Sequence, residues 1–509
     1  MSYELLPFNE ESFASSLEVG GKTSLSKIKS KSHFKYFLKK YLAPEGLDAK
    51  TILVEKKYIS KDYISDYSKY YATCFTDYKK DCKRLHFFSE TFTEQEFEEA
   101  LKNDNTGQQI WDSYLGFIVV KPIPVTIFGM TILNHYPKED GEYSRYFFGT
   151  RNYKVHVFGK ELCVSSIGFQ EQDHVLSVCA TSAIWTTLQK ASLNENTILK
   201  TPNEITISSG LTGPDGSRLF PNTGLSVLQM CTALTEAGLV TEIREINKEN
   251  YSQDNLYIKE LIHAYSPIGI PIILVISLNN PAKYDKNRKK ELHAVSVVGY
   301  NIRKEILTKA KTKTLSLRSE SSNKLYVHDD QYGPFARMEL KGSDKIISPW
   351  DEDNDRKTFT IVEHVIIPLY PKIRIQYEDV KKIVQEFDEM LMAGFSKIKL
   401  NFVWELKLEY SEDYKSYVRD SKAHDDLKLP ILKCPLPKYI WKATAYFSNV
   451  VAFDIIFDAT DLSNNMFALK VLFYQKGFLN EVKELVNYKD DLRKLFKNDK
   501  YFDFFKNSF

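Results

Sequence analysis

Three short segments near the middle of the chain carry a cysteine, a histidine and an acid, in that order. They are FQEQDHVLSVCATSAIWTTLQ around Cys179, ELHAVSVVGY around His293, and KLYVHDDQYGPF around Asp329 and Asp330. A cysteine nucleophile needs a base within hydrogen-bond reach and a third group that orients the base. Because such partners are near in space but distant in sequence, the fold must bring these three segments together.

Cys179 opens a segment with helical periodicity. The apolar residues that follow it lie on one helical face, and they are Ala180, Ala183, Ile184, Trp185 and Leu188. We therefore expect the cysteine at or near a helix N-terminus, where unpaired N–H groups and the positive end of the helix dipole favour a thiolate. Inert packing is the alternative interpretation, because free cysteine is among the most buried residue types.

The order of five segments resembles the papain-like superfamily of cysteine hydrolases. These segments read CATSAIWTTL, GLSVLQM, GIPIILVI, HAVSVVGY and YVHDDQYG, and the resemblance covers about residues 155 to 372. It is closest to the bacterial peptidases that cut double-glycine leader peptides, and to their relatives. The resemblance implies that Cys179 is the nucleophile and His293 the general base.

The third member of the triad has two candidates. The family's orienting residue lies on the strand after the histidine strand, and both Asp329 and Asp330 stand at the end of that segment. The leader-peptidase pattern, with Gly four residues later, favours Asp329, whereas the papain pattern, with Gly three residues later, favours Asp330. We favour Asp329. Neighbouring residues of a strand point to opposite faces, so only one of them should face the imidazole unless the strand has already ended.

The glutamine that helps to bind the oxyanion departs from the family pattern. The resemblance places it six residues before the nucleophile, where this chain has Asp173. Gln172 lies seven residues before Cys179 and Gln170 nine. We assign the role to Gln172, which requires one extra residue in the loop that leads into the helix.

The chain is long enough for several modules. With 509 residues it exceeds the size at which a single core stops growing, and we expect three domains. The fold class is α+β: an N-terminal α+β domain (1–150), a papain-like catalytic domain (151–372), and a C-terminal α+β domain of antiparallel strands with helices (373–509). The basic insertion from Asn301 to Lys324 is expected to form a long exposed hairpin.

Charge and cysteine usage limit the partners and the compartment. A formal net charge of +2 gives no general attraction to nucleic acid or to an anionic membrane. The six cysteines form no CxxC pair, which fits a reducing cytoplasm. The longest apolar stretch, Ile268 to Leu278, is too short to span a bilayer. We expect no cofactor and no metal, since the chain has no Gly-rich phosphate loop and no HExxH motif.

The expected function is a cysteine peptidase that acts on a restricted protein or peptide substrate, which the flanking domains help to recognise. Three alternatives remain open. An inactive papain-like scaffold would act as a protein-binding module, and an acyltransferase or amidase would use the same triad. In the third, the segments match by chance in an unrelated fold.

Overall fold

The computed structural model describes most of the chain, and its elements are α+β as expected. The described residues are 3–19, 23–103, 106–171, 179–194, 196–210, 224–246, 255–279, 292–306, 315–342, 344–353, 358–395, 401–462, 466–488 and 490–508. None of the helices within these ranges is both long enough and apolar enough to cross a membrane.

The N-terminal part is a five-stranded antiparallel sheet whose strands follow one another in chain order. Its strands are β1 (Tyr3–Pro7), β2 (Thr51–Tyr58), β3 (Cys82–Phe88), β4 (Tyr114–Val120) and β5 (Phe128–Leu133). Its helices are α1 (Glu10–Ser16), α2 (Leu25–Ser30), α3 (Ser32–Tyr36), α4 (Lys61–Lys69), α5 (Glu94–Lys102) and α6 (Gln108–Asp112). The helix α5 begins after Thr93, whose side chain forms a reciprocal capping box with Glu96.

The central part is built on a closed ring of six antiparallel strands. Its strands are β6 (Glu139–Asp140), β7 (Tyr143–Phe147), β8 (Arg151–Val157), β9 (Lys160–Ser166), β10 (Val240–Glu245), β11 (Ile272–Asn279), β12 (Leu292–Arg303), β13 (Lys324–Asp329), β14 (Gly333–Lys341), β15 (Lys345–Ile347) and β16 (Phe359–Leu369). Its helices are α7 (Cys179–Ala191), α8 (Pro202–Ser208), α9 (Val227–Glu236), α10 (Asn255–Tyr265) and α11 (Pro349–Asp353). The ring runs from β11 to β16 in chain order and closes because β11 pairs with both β12 and β16.

Contacts cross the predicted domain boundary near residue 150 from both sides. Before it, β7 pairs with Gly299–Arg303 of β12 and so belongs to the central sheet. After it, the hairpin of β8 and β9 places Val155, Val157 and Val164 in a core shared with the N-terminal sheet. The N-terminal and central parts therefore share elements.

The C-terminal part contains the predicted antiparallel sheet, with four strands in chain order. Its strands are β17 (Val403–Tyr410), β18 (Tyr439–Phe447), β19 (Val450–Asp458) and β20 (Ala468–Phe473). Its helices are α12 (Tyr377–Gly394), α13 (Ser411–Asp420), α14 (Asp425–Lys433), α15 (Lys476–Tyr488) and α16 (Asp499–Lys506).

The described end of the basic insertion is packed rather than exposed, contrary to the expected hairpin. Leu315 and Leu317 are buried, and Leu317 forms a bridge to Trp404 of β17. Apolar side chains at these two positions explain the difference, because they bury surface against the C-terminal sheet. Residues 307–314 of the insertion lie outside the described ranges.

Candidate active site

Cys179 is the first residue of α7. It is 9% exposed, and every other residue of this helix except Lys190 is buried. The helix packs against the histidine strand β12, where the Ser296 hydroxyl donates to the Ala183 carbonyl at 3.0 Å. The cysteine thus lies at the positive end of a buried helix dipole, as the apolar spacing after it predicts.

His293 is the second residue of β12, and its Nε2 lies 3.0 Å from Asp329 Oδ1. The Cys179 side chain interacts with the His293 ring and raises its pKa. Because Nε2 takes the aspartate, Nδ1 is the nitrogen left to face the thiol. Burial alone would lower the pKa of His293, but the charge and hydrogen bond of Asp329, the interaction with Cys179 and the charge of Asp330 raise it well above its ordinary value.

Asp329 is fully buried at the end of β13, and both of its oxygens accept hydrogen bonds. Oδ1 accepts from His293 and from the Gln331 backbone N–H at 3.0 Å, and Oδ2 accepts from Trp350 Nε1 at 2.9 Å. Burial would raise the pKa of this carboxyl group, but the charge and hydrogen bond of His293 and the other two bonds lower it. The Trp350 ring packs against the imidazole in an edge-to-face arrangement, with ring centroids 5.3 Å apart and an interplanar angle of 63°.

Asp330 lies beside the same imidazole without a hydrogen bond to it. Its Oδ1 is 3.6 Å from His293 Nε2, and neither carboxylate oxygen has a hydrogen-bond partner among the described residues. Both aspartates reach the ring because β13 ends at Asp329 and a turn begins at Asp330, so strand alternation no longer separates them. Burial and the neighbouring Asp329 charge raise the pKa of Asp330 to about 7, although His293 acts in the opposite direction.

Gln172, the residue assigned to the oxyanion, lies outside the described residues, and its role stays a prediction. Gln170 is described: it is 8% exposed, and its Nε2 has no hydrogen-bond partner in the described part of the chain. A Cβ on Gly168 would lie 2.9 Å from the ring of Trp185, so the side-chain face at Gly168 points toward α7. Alternation along an extended segment puts Gln170 on the same side as Gly168, toward α7.

No protein-family model matches this chain. No curated protein matches it either. The geometry of the site therefore carries the functional argument.

One cluster within the described ranges has the geometry of metal ligands. His293, Asp329 and Asp330 each offer a ligand atom, and these three atoms lie within 4.8 Å of one another. Imidazole and carboxylate groups suit zinc and other divalent metals. The sequence predicted no metal, and this cluster contains two residues of the predicted triad.

Sequence reasoning missed three contributors to the site. Trp350 lies 21 residues after its hydrogen-bond partner Asp329 and belongs to no motif. Lys31 and His33 come from the N-terminal part, 140 and 297 residues away from the groups they contact. No local pattern could have identified them, because each acts through a contact that the tertiary fold creates.

Proposed function

We propose that this chain is a papain-like cysteine hydrolase that cleaves a restricted protein or peptide substrate through a thioester acyl-enzyme. The observation that carries the proposal is one chain of contacts. The Cys179 side chain, at a helix N-terminus, interacts with His293, whose Nε2 hydrogen-bonds to the buried Asp329. This order of nucleophile, base and orienting acid is what thiol catalysis requires.

The mechanism assigns a role to each group. His293 holds the proton of Cys179, and the thiolate attacks the acyl carbon of the substrate. His293 then gives the proton to the leaving amine, while Asp329 holds the imidazole in position and stabilises its charge. Water, activated by the same imidazole, releases the acyl group. An amine acceptor in place of water would make the same thioester an acyltransferase intermediate.

The oxyanion would be held by the Cys179 backbone N–H and a glutamine side chain. Gln172 is the predicted donor, and the buried, unpartnered amide of Gln170 supports that residue as the competing candidate. Replacing the true donor by Ala lowers turnover by about 100- to 1,000-fold, because one preorganised donor is lost in the transition state. Comparing Gln170→Ala with Gln172→Ala on a fluorogenic peptide library assigns the role.

The flanking parts would restrict the substrate and recruit a partner protein. All six cysteines are free thiols, which supports a cytoplasmic setting.

The first test is the pH dependence of alkylation by iodoacetamide, followed at each cysteine by peptide mass. In the wild type, Cys179 should react well below pH 7, and His293→Ala should abolish that reactivity. Cys163 is an exposed internal reference. If Cys179 reacts no faster than Cys163 and the mutation changes nothing, the enzyme proposal fails, and an inactive scaffold that binds proteins takes its place.

A second candidate function, metal binding, is favoured by the unpartnered carboxylate of Asp330. In a tetrahedral zinc site with bonds of about 2.0 to 2.1 Å, ligand atoms lie roughly 3.3 Å apart. The distances from His293 Nε2 to the two aspartates, 3.0 and 3.6 Å, bracket that value. Equilibrium dialysis with Zn²⁺ tests it: one bound ion that Asp330→Asn removes would support this function, and no binding would exclude it.

A further inference from the structure

The N-terminal segment from Lys31 to Tyr36 contacts both sides of the candidate active site. On the first side it binds Glu171, which directly follows Gln170. Lys31 Nζ lies 2.6 Å from Glu171 Oε1, and His33 Nδ1 lies 3.8 Å from the same atom. The other oxygen of Glu171 accepts the Phe128 backbone N–H at 3.0 Å. These contacts hold Glu171, the residue next to Gln170, against the N-terminal segment.

On the second side the same segment binds the turn that follows Asp329. His33 Nε2 donates to the Asp330 carbonyl at 2.8 Å, since a carbonyl oxygen only accepts. The Tyr36 hydroxyl donates to the Pro334 carbonyl at 2.7 Å. A Cβ on Gly333 would lie 2.5 Å from the Tyr36 ring, so this ring packs directly on the backbone of the turn. The two hydrogen bonds hold the turn at both of its ends.

Burial makes these contacts specific. The side chains of His33 and Glu171 are 7% and 6% exposed, so water does not replace a lost partner. The Asp329 carboxylate accepts from the Gln331 N–H within the same turn. A displacement of this turn therefore moves the carboxylate relative to the imidazole.

We propose that His33 and Tyr36, the N-terminal clamp, position the acid of the proposed triad against His293. The proposal rests on the proposed function, because positioning matters only if Cys179 is a reactive thiol. It assigns to the N-terminal part a role beyond substrate recognition: without the clamp, the thiolate–imidazolium pair is less populated. His33 and Tyr36 are positioning residues, since neither touches the reacting atoms.

The test compares variants of the full-length chain that remove hydrogen bonds of the clamp. Tyr36→Phe removes a hydroxyl that bonds to the Pro334 carbonyl and also lies 3.1 Å from the Tyr136 hydroxyl. His33→Met removes the donor to the Asp330 carbonyl at similar side-chain volume. His33→Gln keeps an N–H donor and should restore the bond. Tyr41→Phe is the matched control, because the Tyr41 hydroxyl donates to the Asn134 carbonyl at 2.6 Å.

Two readouts at one fixed pH follow the site: the iodoacetamide rate constant of Cys179, and the thiolate absorbance near 240 nm relative to the matching Cys179→Ser protein. One neutral hydrogen bond contributes about 0.5 to 1.5 kcal/mol, which corresponds to a rate about 2- to 12-fold lower. We expect that loss in Tyr36→Phe and His33→Met, with wild-type rates in His33→Gln and Tyr41→Phe. Melting temperatures should fall in both Tyr36→Phe and Tyr41→Phe, because each loses a buried hydroxyl, whereas the alkylation rate should fall only in Tyr36→Phe.

The outcomes separate the two proposals. If wild-type Cys179 is reactive and Tyr36→Phe and His33→Met match the Tyr41→Phe control, the clamp is overturned and the proposed function stands. If His33→Gln is as slow as His33→Met, the donor has no positioning role, and the clamp is again overturned. If wild-type Cys179 reacts like an ordinary thiol, the proposed function fails and the clamp fails with it.

Discussion

The two adjacent aspartates give the sharpest test of how His293 is held. Asp329 accepts a hydrogen bond from His293 Nε2 at 3.0 Å, whereas Asp330 approaches only to 3.6 Å. We predict that Asp329→Asn lowers the reactivity of Cys179 strongly and that Asp330→Asn lowers it little. The two substitutions make the same chemical change one residue apart, so each is the control for the other.

The magnitude follows from the hydrogen bonds of each carboxylate. A hydrogen bond to a charged group contributes about 1.5 to 3 kcal/mol. Losing the charged partner of the imidazolium should therefore lower the population of the thiolate–imidazolium pair by about 10- to 150-fold. An amide at position 329 also faces three N–H donors, from His293, Gln331 and Trp350. One of them must then meet the NH₂ group. Asp330→Asn removes the attraction between Asp330 and the imidazolium, which the cost of burying Asp330 already offsets. We expect the alkylation rate of Cys179 to change by less than about 5-fold.

The assay is the iodoacetamide rate constant of Cys179 at pH 6, read by peptide mass, with urea unfolding of each variant. Asp329→Asn should lower the free energy of unfolding by about 1 to 3 kcal/mol, because a buried carboxylate with satisfied bonds is lost. Asp330→Asn should leave it unchanged or raise it. A larger rate loss in Asp330→Asn would refute the assignment of Asp329 and the reasoning from the 3.0 Å bond.

Three further predictions concern other parts of the molecule. Burial lowers the pKa of His328 to about 3, so the stability that the neutral ring contributes is complete above about pH 6.5 and falls toward pH 3, by about 2 kcal/mol at pH 5. In calorimetry in two buffers of different ionisation enthalpy, His328→Phe should take up about one proton fewer than the wild type on unfolding at pH 5. Equal proton uptake by the two proteins would contradict this prediction. Glu405→Gln leaves the half-buried Lys407, 3.1 Å away, without this carboxylate and should cost about 1.5 to 3 kcal/mol in urea unfolding. Glu99→Gln in an exposed pair should cost less than about 1 kcal/mol, and equal costs would exclude an effect of burial. Trp350→Phe keeps an aromatic ring beside the imidazole but removes the N–H donor to Asp329. The alkylation of Cys179 should therefore slow by about 2- to 12-fold, and an unchanged rate would show that this donor does not matter.

The sequence predicted the elements that have a clear hydrophobic period, and it predicted that the three site segments lie close together in the fold. The alternation in FVWELKLEY indicates the strand β17, and the apolar face after Cys179 indicates α7, because both patterns follow from which side of an element is buried. The same alternation misleads about environment. The polar positions of β17 carry Glu405, Lys407 and Glu409. Glu405 is nonetheless buried and the other two are half-buried, and they pair with one another and with Lys442.

The rest of the site depends on contacts between distant segments. The sequence offered both Asp329 and Asp330 as the orienting acid. Both carboxylates lie beside the His293 imidazole because β13 ends between them, which the sequence did not predict. The clamp could not be predicted, since His33 and Asp330 share neither a motif nor a neighbourhood in sequence. Gln172 lies outside the described residues, so its role is still a prediction from the family resemblance.

The pairing of β7 with β12 has a practical consequence for dissecting the protein. A recombinant fragment that starts at residue 151 would lack β7, and the backbone of β12 from Asn301 to Arg303 would lose the strand that pairs with it. Exposed strand edges of this kind recruit other chains and promote aggregation. An insoluble fragment would then report a missing strand rather than an unstable central part, so a fragment of the central part must begin at residue 139 or earlier.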